Sequence, residues 1–158
     1  VLNSETTNPT GGTSLTRDFA ATTFVVWHNQ ILLHKHEKLG MWLPPGGHVE
    51  PHELPCDAAV REVLEESGVQ VRLEDDRGVL LPEGVRHPRL LVRPRGVQLE
   101  CIRDDHEHID LIYFGKPQEP YEGRLNPGFG WYGPDAFDSL ELIPDVRAWC
   151  RLALFEMR

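Results

Sequence analysis

Apolar positions recur at helical spacing in two stretches of the chain; elsewhere they alternate in short runs or are broken. Between Leu54 and Ser67, the residues Cys56, Ala59, Val60, Val63 and Leu64 fall on one arc at about 100° per residue. That pattern predicts a helix beginning between Leu54 and Asp57 and ending at Ser67, with Gly68 as a left-handed cap. Val146, Trp149, Cys150, Ala153 and Met157 repeat the spacing behind Pro144 and Asp145, which suit a first helical turn. This second helix is expected to pack on the core. Residues 20–28 and 31–36 predict a hairpin turning at His28-Asn29-Gln30, and Met41-Trp42-Leu43 a short strand feeding Pro44-Pro45-Gly46-Gly47. Residues 69–73 predict a strand leaving the Gly68 cap, 109–114 a central strand, and 129–132 a terminal one followed by a brief helix at 133–137. Glu74-Asp75-Asp76-Arg77 reads as a solvated turn. Between 78 and 103 the pattern weakens. Val79-Leu80-Leu81, Leu90-Leu91-Val92 and residues 97–102 are apolar enough for strands, yet Pro82, Pro88 and Pro94 break any long element. Residues 1–17 are polar and rich in breakers, which predicts a flexible tail ahead of a single domain over 18–158.

The polar face of the first helix changes the picture. Glu62, Glu65 and Glu66 lie opposite the apolar arc, with Ala58 among them keeping that surface low. Like charges three and four residues apart repel by a few tenths of a kcal/mol per pair, so stability gives no reason for the cluster. A hard divalent cation such as Mg²⁺ or Mn²⁺ does, because it takes oxygen ligands and bridges carboxylates to phosphates. Glutamates also gather on purely solvated helix faces. The Gly46-Gly47 pair just upstream favours the ligand reading, since glycine lets a carbonyl turn inward and the backbone approach a ligand closely.

Gly47, five residues, Glu53, seven residues, and then Arg61-Glu62-Val63-Leu64-Glu65-Glu66-Ser67-Gly68-Val69 resembles the full signature of the Nudix (MutT-like) hydrolases. The resemblance implies an α+β fold with a mixed β-sheet sandwiched between helices. It implies metal ligation by Glu62, Glu65, Glu66 and the Gly46 carbonyl, with Mg²⁺ or Mn²⁺ as cofactor. It also implies an Arg61–Glu53 clamp, whose fork-like guanidinium would fix the carboxylate's angle; Arg61 as a direct phosphate ligand is the alternative. The family often uses a further acid downstream as ligand or general base. Glu119 and Glu122 are the candidates, with Glu107 behind them. On the substrate side stand His48 as a hydrogen-bond donor near the phosphates and Arg93 within the basic group Arg86, Arg89, Arg93 and Arg95. Tyr121 could stack on a base or serve only local packing. The implied reaction is hydrolysis of a diphosphate linkage in a nucleoside diphosphate joined to another moiety, with nucleoside di- and triphosphates first. The proton of the attacking water would go to Glu62 or to the loop glutamate. A nucleotide or RNA-end binding module on the same fold is the alternative, though the intact acidic set argues against lost catalysis. The resemblance also makes a homodimer plausible.

The histidines invite a second reading. His34 and His36 share one strand face, and His106, His108 and Asp110 alternate onto one side with the look of a metal triad. The acidic helix already accounts for a metal requirement, and related sequences carry such histidines as structural or substrate-side groups. Asp110, at the start of a hydrophobic strand, must be paired or face a cleft.

Composition narrows the partners. The 158 residues suffice for one domain, and the net charge of −9 argues against a nucleic-acid backbone as main partner. Cys56, Cys101 and Cys150 are an odd number without metal-site spacing, which fits a reducing cytosolic setting. No segment has the apolar length of a membrane span or the core of a signal peptide, so a cytoplasmic location is expected.

Overall fold

A computed structural model describes residues 14–75 and 78–158. In chain order its elements are β1 (Thr16–Trp27), β2 (Gln30–Lys35), β3 (Trp42–Leu43), β4 (Gly46–His48), α1 (Pro55–Ser67), β5 (Val71–Leu73), β6 (Gly96–Arg103), β7 (His106–Pro117), β8 (Phe129–Tyr132) and α2 (Pro144–Glu156). A single 3-10 turn at Pro134–Ala136 precedes α2. No helix among the described residues is long and apolar enough to cross a membrane.

The sheet is mixed. β1 and β7 run parallel through ten register pairs, from Thr16↔His106 to Val25↔Gly115. Every other pairing is antiparallel: β1 with β2 and β4, β7 with β5 and β6, and β2 with β3 and β8. The β1–β2 hairpin turns on two residues, His28 (φ 48°) and Asn29 (φ 59°), both left-handed. Two such residues give the backward-twisting turn that matches the right-handed twist of a strand pair.

Alternation along the two long strands then divides the core. Phe24 and Val26 of β1, with Ile112 and Phe114 of β7, pack on the α2 side with Val146, Cys150, Ala153 and Met157. Ala21 of β1 and Tyr113 of β7 face α1 instead, against Ala58, Ala59 and Leu73. The result is a mixed sheet with a helix on each face, the α/β/α layering implied by the resemblance. Alanines at the α1 contact let the helix sit close, and the Thr23 hydroxyl donates to the Ala59 carbonyl at 3.3 Å.

Both helices start on a proline and use local chemistry to stop. Pro55 and Pro144 sit in the first turn, where a missing amide costs nothing. Gly68 closes α1 at φ 78°, its N–H donating to the Leu64 carbonyl.

Four expectations need correction. β1 begins at Thr16, ahead of the expected residue 20; of the expected tail, residues 1–13 lie outside the described residues, as do Asp76 and Arg77 of the expected turn. Residues 79–81 and 90–92 form no strand, and Leu80 is 98% exposed. Pro82, Pro88 and Pro94 punctuate that stretch and supply no ladder donors. Leu64, expected inside, is 42% exposed, while Ala58, expected among the glutamates on the open side, is fully buried. The buried arc of α1 is therefore rotated toward Ala58 and Ala59, which carries Glu62 and Glu66 inward with it.

Candidate active site

The rotation of α1 sets the geometry of the acidic cluster. Glu62 and Glu66 lie between Ala58 and Ala59 around the helix, so they point toward the edge of the sheet. Glu65 points out, its side chain 61% exposed against 15% for Glu62. β4 meets them there, paired to β1 through Thr22↔Gly46, Ala21↔Gly47 and Ala20↔His48. Both glycines are required by space. A Cβ on Gly46 would lie 2.9 Å from the backbone oxygen of Ala21, and one on Gly47 would lie 2.5 Å from Glu62 Oε1. The Glu62 carboxylate thus occupies the volume a side chain at position 47 would fill. The Gly46 amide donates to Glu66 Oε2 at 3.2 Å.

Gly47→Ala follows as a test. The obstructed atom is the tip of a flexible side chain, so the variant is expected to fold with a melting temperature near that of the native protein. Its carboxylate would be pushed aside, however, and a misplacement of that order costs about 10²-fold in turnover. A variant that keeps full activity would remove Glu62 from the mechanism.

Arg61 holds the cluster from its outer side. Its Nε and one terminal nitrogen donate to the two oxygens of Glu53, both at 2.8 Å. The other terminal nitrogen donates to Glu62 Oε1 at 2.7 Å and to Glu65 Oε2 at 3.1 Å. A further bond reaches the His48 carbonyl at 3.0 Å. The Arg61 bonds hold the Glu53 carboxyl below its usual range. Glu66 lies outside the reach of that fork. Burial raises its pKa above the ordinary glutamate value, reinforced by the charges of Glu62 and Glu65. Behind it, the Asn126 side-chain amide donates to the Glu66 carbonyl at 3.0 Å, and the Asn126 amide to the Ser67 carbonyl at 2.9 Å. This brace on the end of α1 had no signal in the sequence, where Asn126 is one polar residue of a loop.

Gly46 and Gly47 also line a cavity of about 550 Å³ on the other side of β4, together with Phe24, Gln98, His108, Asp110 and Trp149. Trp149 packs against the core at Phe24 and Phe114, as expected, and is also a wall of that cavity, its indole N–H donating to Gln98 Oε1 at 2.9 Å. Asp110 is 1% exposed, and its Oδ1 has no hydrogen-bond partner. Burial, with the charge of Glu100 added, pushes its carboxyl up to about 7, against hydrogen bonds from Thr22 that pull it down.

That shift has a stability consequence whose sign is fixed. The folded carboxyl keeps its proton up to about pH 7, while in the unfolded chain it is lost near the ordinary aspartate value of 3.8. The folded state therefore binds more protons through that window. The stability this carboxyl contributes is fully present below about pH 4 and falls as pH rises to about 7, by up to about 1.4 kcal/mol per pH unit. Asp110→Asn is expected to abolish that slope in urea titrations run in EDTA at several pH values. A slope that survives the substitution would locate the titrating group elsewhere.

Among the described residues, the group whose ligand atoms already converge, all within 4.8 Å of one another, is His48, His106 and His108. A histidine-rich cluster capable of coordinating a metal is therefore present. Spacing along the strand suggested Asp110 as its third member; the structure supplies His48 from β4 instead, because β1 carries β4 and β7 on its two sides.

The remaining expected residues lie apart. Glu119 lines a different cavity with Trp27, His28, Lys116 and Met157. Glu122 is an exposed partner of Arg124 at 3.6 Å. Glu107 accepts from Arg17 Nε at 2.8 Å. Tyr121 packs edge-on to Trp27 and Trp131, and its hydroxyl donates to the Arg124 carbonyl. Arg93 is exposed beside Gly78. None of the five lines the cavity shared by Gly46 and Gly47.

Comparison with known proteins gives consistent results. The family model of the NUDIX domain matches residues 17–155. The chain is 48% identical over 105 residues to a putative 8-oxo-dGTP diphosphatase of Bacillus subtilis (strain 168), covering 66% of this chain and 58% of that protein. It is 58% identical over 111 residues to a Bos taurus protein named m7GpppN-mRNA hydrolase NUDT17, covering 60% of this chain and 32% of that one. The chain thus spans less than two thirds of either relative. A crystal structure of a NUDIX-family hydrolase from Clostridium perfringens superposes with a TM-score of 0.80 at 27% identity, over 91% of this chain and all of that one.

Proposed function

This chain belongs to the Nudix hydrolase family, and from that premise we propose that it cleaves a nucleoside diphosphate linked to a further moiety, using Mg²⁺ or Mn²⁺. Nudix-type hydrolysis of a diphosphate-containing substrate is the general class. Nucleoside di- and triphosphates are the finer reading. The observation that carries it is the seating of Glu62 and Glu66 on Gly46 and Gly47, at a wall of the cavity that holds Trp149, Gln98 and Asp110.

The fit to a hard cation rests on donor chemistry. Glu62, Glu65, Glu66 and the Gly46 carbonyl are all oxygen donors, and the space over Gly47 is kept free of any side chain for one of them. A divalent ion held by these groups would neutralise a diphosphate and lower the pKa of water. Arg61 keeps Glu53, Glu62 and Glu65 oriented without neutralising Glu66. Glu66, outside the reach of that guanidinium and held by the Gly46 amide, is left to accept the proton of the attacking water. Glu119 and Glu122 are poor candidates for that role because neither meets the acidic cluster: Glu119 lines another cavity beside Lys116, and Glu122 sits exposed beside Arg124.

The nucleotide reading draws on the cavity. An aromatic wall at Phe24 and Trp149, with polar edges at Gln98 and Asp110, suits a base and its ring heteroatoms. The substrates named for the two relatives, 8-oxo-dGTP and m7GpppN-mRNA, are both phosphate-linked nucleotides. The test is release of phosphate and pyrophosphate from a panel with Mg²⁺ or Mn²⁺. The panel holds nucleoside di- and triphosphates, nucleotide sugars, ADP-ribose and dinucleoside polyphosphates. Turnover of a nucleoside di- or triphosphate above all others, abolished by EDTA, is the expected result. A folded protein that binds nucleotides and cleaves none of them would be the binding module instead.

A further inference from the structure

We propose that His48, His106 and His108 form a second cation site, separate from the acidic helix, that takes a transition metal of the Zn²⁺ class. The geometry comes from β1 lying between β4 and β7. Thr16, Asp18 and Ala20 alternate onto one face of β1, beside His106, His108 and Asp110 of β7 in register. Ala20 is also the register partner of His48 on the opposite edge. Because Ala20 is small, the His48 ring can reach across it to the β7 row. The His48 and His108 rings stand 4.6 Å apart between centroids, and His106 and His108 4.9 Å.

Nitrogen spacing matches a shared ion. His106 Nε2 and His108 Nε2 are 3.1 Å apart. Two ligands on a tetrahedral Zn²⁺ with bonds of about 2.0–2.1 Å are separated by about 3.3 Å. The other nitrogen of His106, Nδ1, contacts the Thr16 hydroxyl at 2.9 Å. Such an outer contact fixes ring orientation and leaves Nε2 toward the cluster. Asp18 Oδ2 stands 3.6 Å from His106 Nε2, near enough to become a fourth, oxygen ligand. Arg17 of β1 and Arg103 of β6, which pairs with His106, are bound to other groups: Arg17 to Glu107 and Arg103 to Asp105.

Ligand chemistry separates the two sites. Imidazole nitrogen suits Zn²⁺, Cu²⁺ and Ni²⁺, whereas the all-oxygen set at α1 suits Mg²⁺ and Mn²⁺. His48 and His108 also line the cavity, so an ion held there adds positive charge to the wall of the nucleotide pocket.

The experiment titrates the full chain, stripped with EDTA and returned to excess Mg²⁺, with Co²⁺ as a coloured stand-in and then with Zn²⁺ in competition. One equivalent of Co²⁺ is expected to bind with the intense visible absorption of a tetrahedral site, and Zn²⁺ to displace it. His48→Gln and His108→Gln should each weaken Zn²⁺ binding by at least about tenfold, and Thr16→Val, which removes only the outer contact, by about tenfold. His48 is exposed, so its variant remains informative even where the His108 variant fails to fold. A Glu62→Gln/Glu66→Gln double variant should leave the Co²⁺ spectrum unchanged. Binding that survives both histidine substitutions, that disappears in the glutamate variant, or that Mg²⁺ displaces would overturn the site without touching the hydrolase reading.

Discussion

Glu66→Gln is expected to lower kcat by about two to four orders of magnitude while the protein stays folded. The size follows from the removal together of the two roles proposed for it, oxygen ligand and proton acceptor. A thousandfold loss corresponds to about 4 kcal/mol of transition-state stabilisation. Folding should survive because glutamine keeps an oxygen able to accept from the Gly46 amide. The burial that raises the native pKa opposes a charge here, so its removal relieves strain instead of adding it. Steady-state kinetics at saturating Mg²⁺, beside circular dichroism, decides the matter. Glu65→Gln serves as the internal comparison: its side chain is 61% exposed, and its loss should cost far less. If the two variants lose activity equally, inward placement does not select the working carboxylate.

Arg61→Ala is expected to damage both stability and turnover, and the pairing of the two effects is the informative part. One guanidinium serves Glu53, Glu62, Glu65 and the His48 carbonyl. Removing it leaves three carboxylates close together with no counter-charge. The expected loss is about 2–3 kcal/mol in urea titrations. That is below the figure for a fully buried pair, since the Arg61 side chain is 27% exposed and water screens part of the interaction. Arg61→Lys keeps the charge but not the planar fork, so it should recover part of the stability and little of the activity. An alanine variant with native stability but poor turnover would favour the other role, direct contact with a substrate phosphate.

Much of this arrangement was legible in the chain, and what was not has physical causes. The end of α1 was readable because Gly68 acts locally, through a left-handed φ, and its start fell within the expected Leu54–Asp57, at Pro55. Its rotation was not. Hydropathy favours Leu64 as a buried residue, yet the helix lies so close to Ala21 that the alanines take the contact and Leu64 stays outside. Alternation along residues 109–114 carries no information about partners, so the parallel pairing of β1 with β7 had to be seen. The same gap hid the third histidine. His48 and His106 meet only because a strand between them pairs with both of theirs. Residues 79–81 and 90–92 misled for the opposite reason: apolar triplets look like strands even where no ladder is available to them.

The parallel β1–β7 pairing bears on how the protein comes into being. A ribosome releases the chain from its N-terminal side, so β1, β4 and α1 all emerge before His106–Pro117. Until β7 arrives, one edge of β1 lacks the partner that the finished fold gives it over ten residue pairs. An open edge of that kind is sticky toward other chains. The acidic helix can coil early on its own propensities, but the floor beneath it is laid late. Strands joined across such a separation form slowly. A nascent chain stalled before residue 106 would therefore present its acidic cluster on an unfinished base, with its longest strand unpaired along one side.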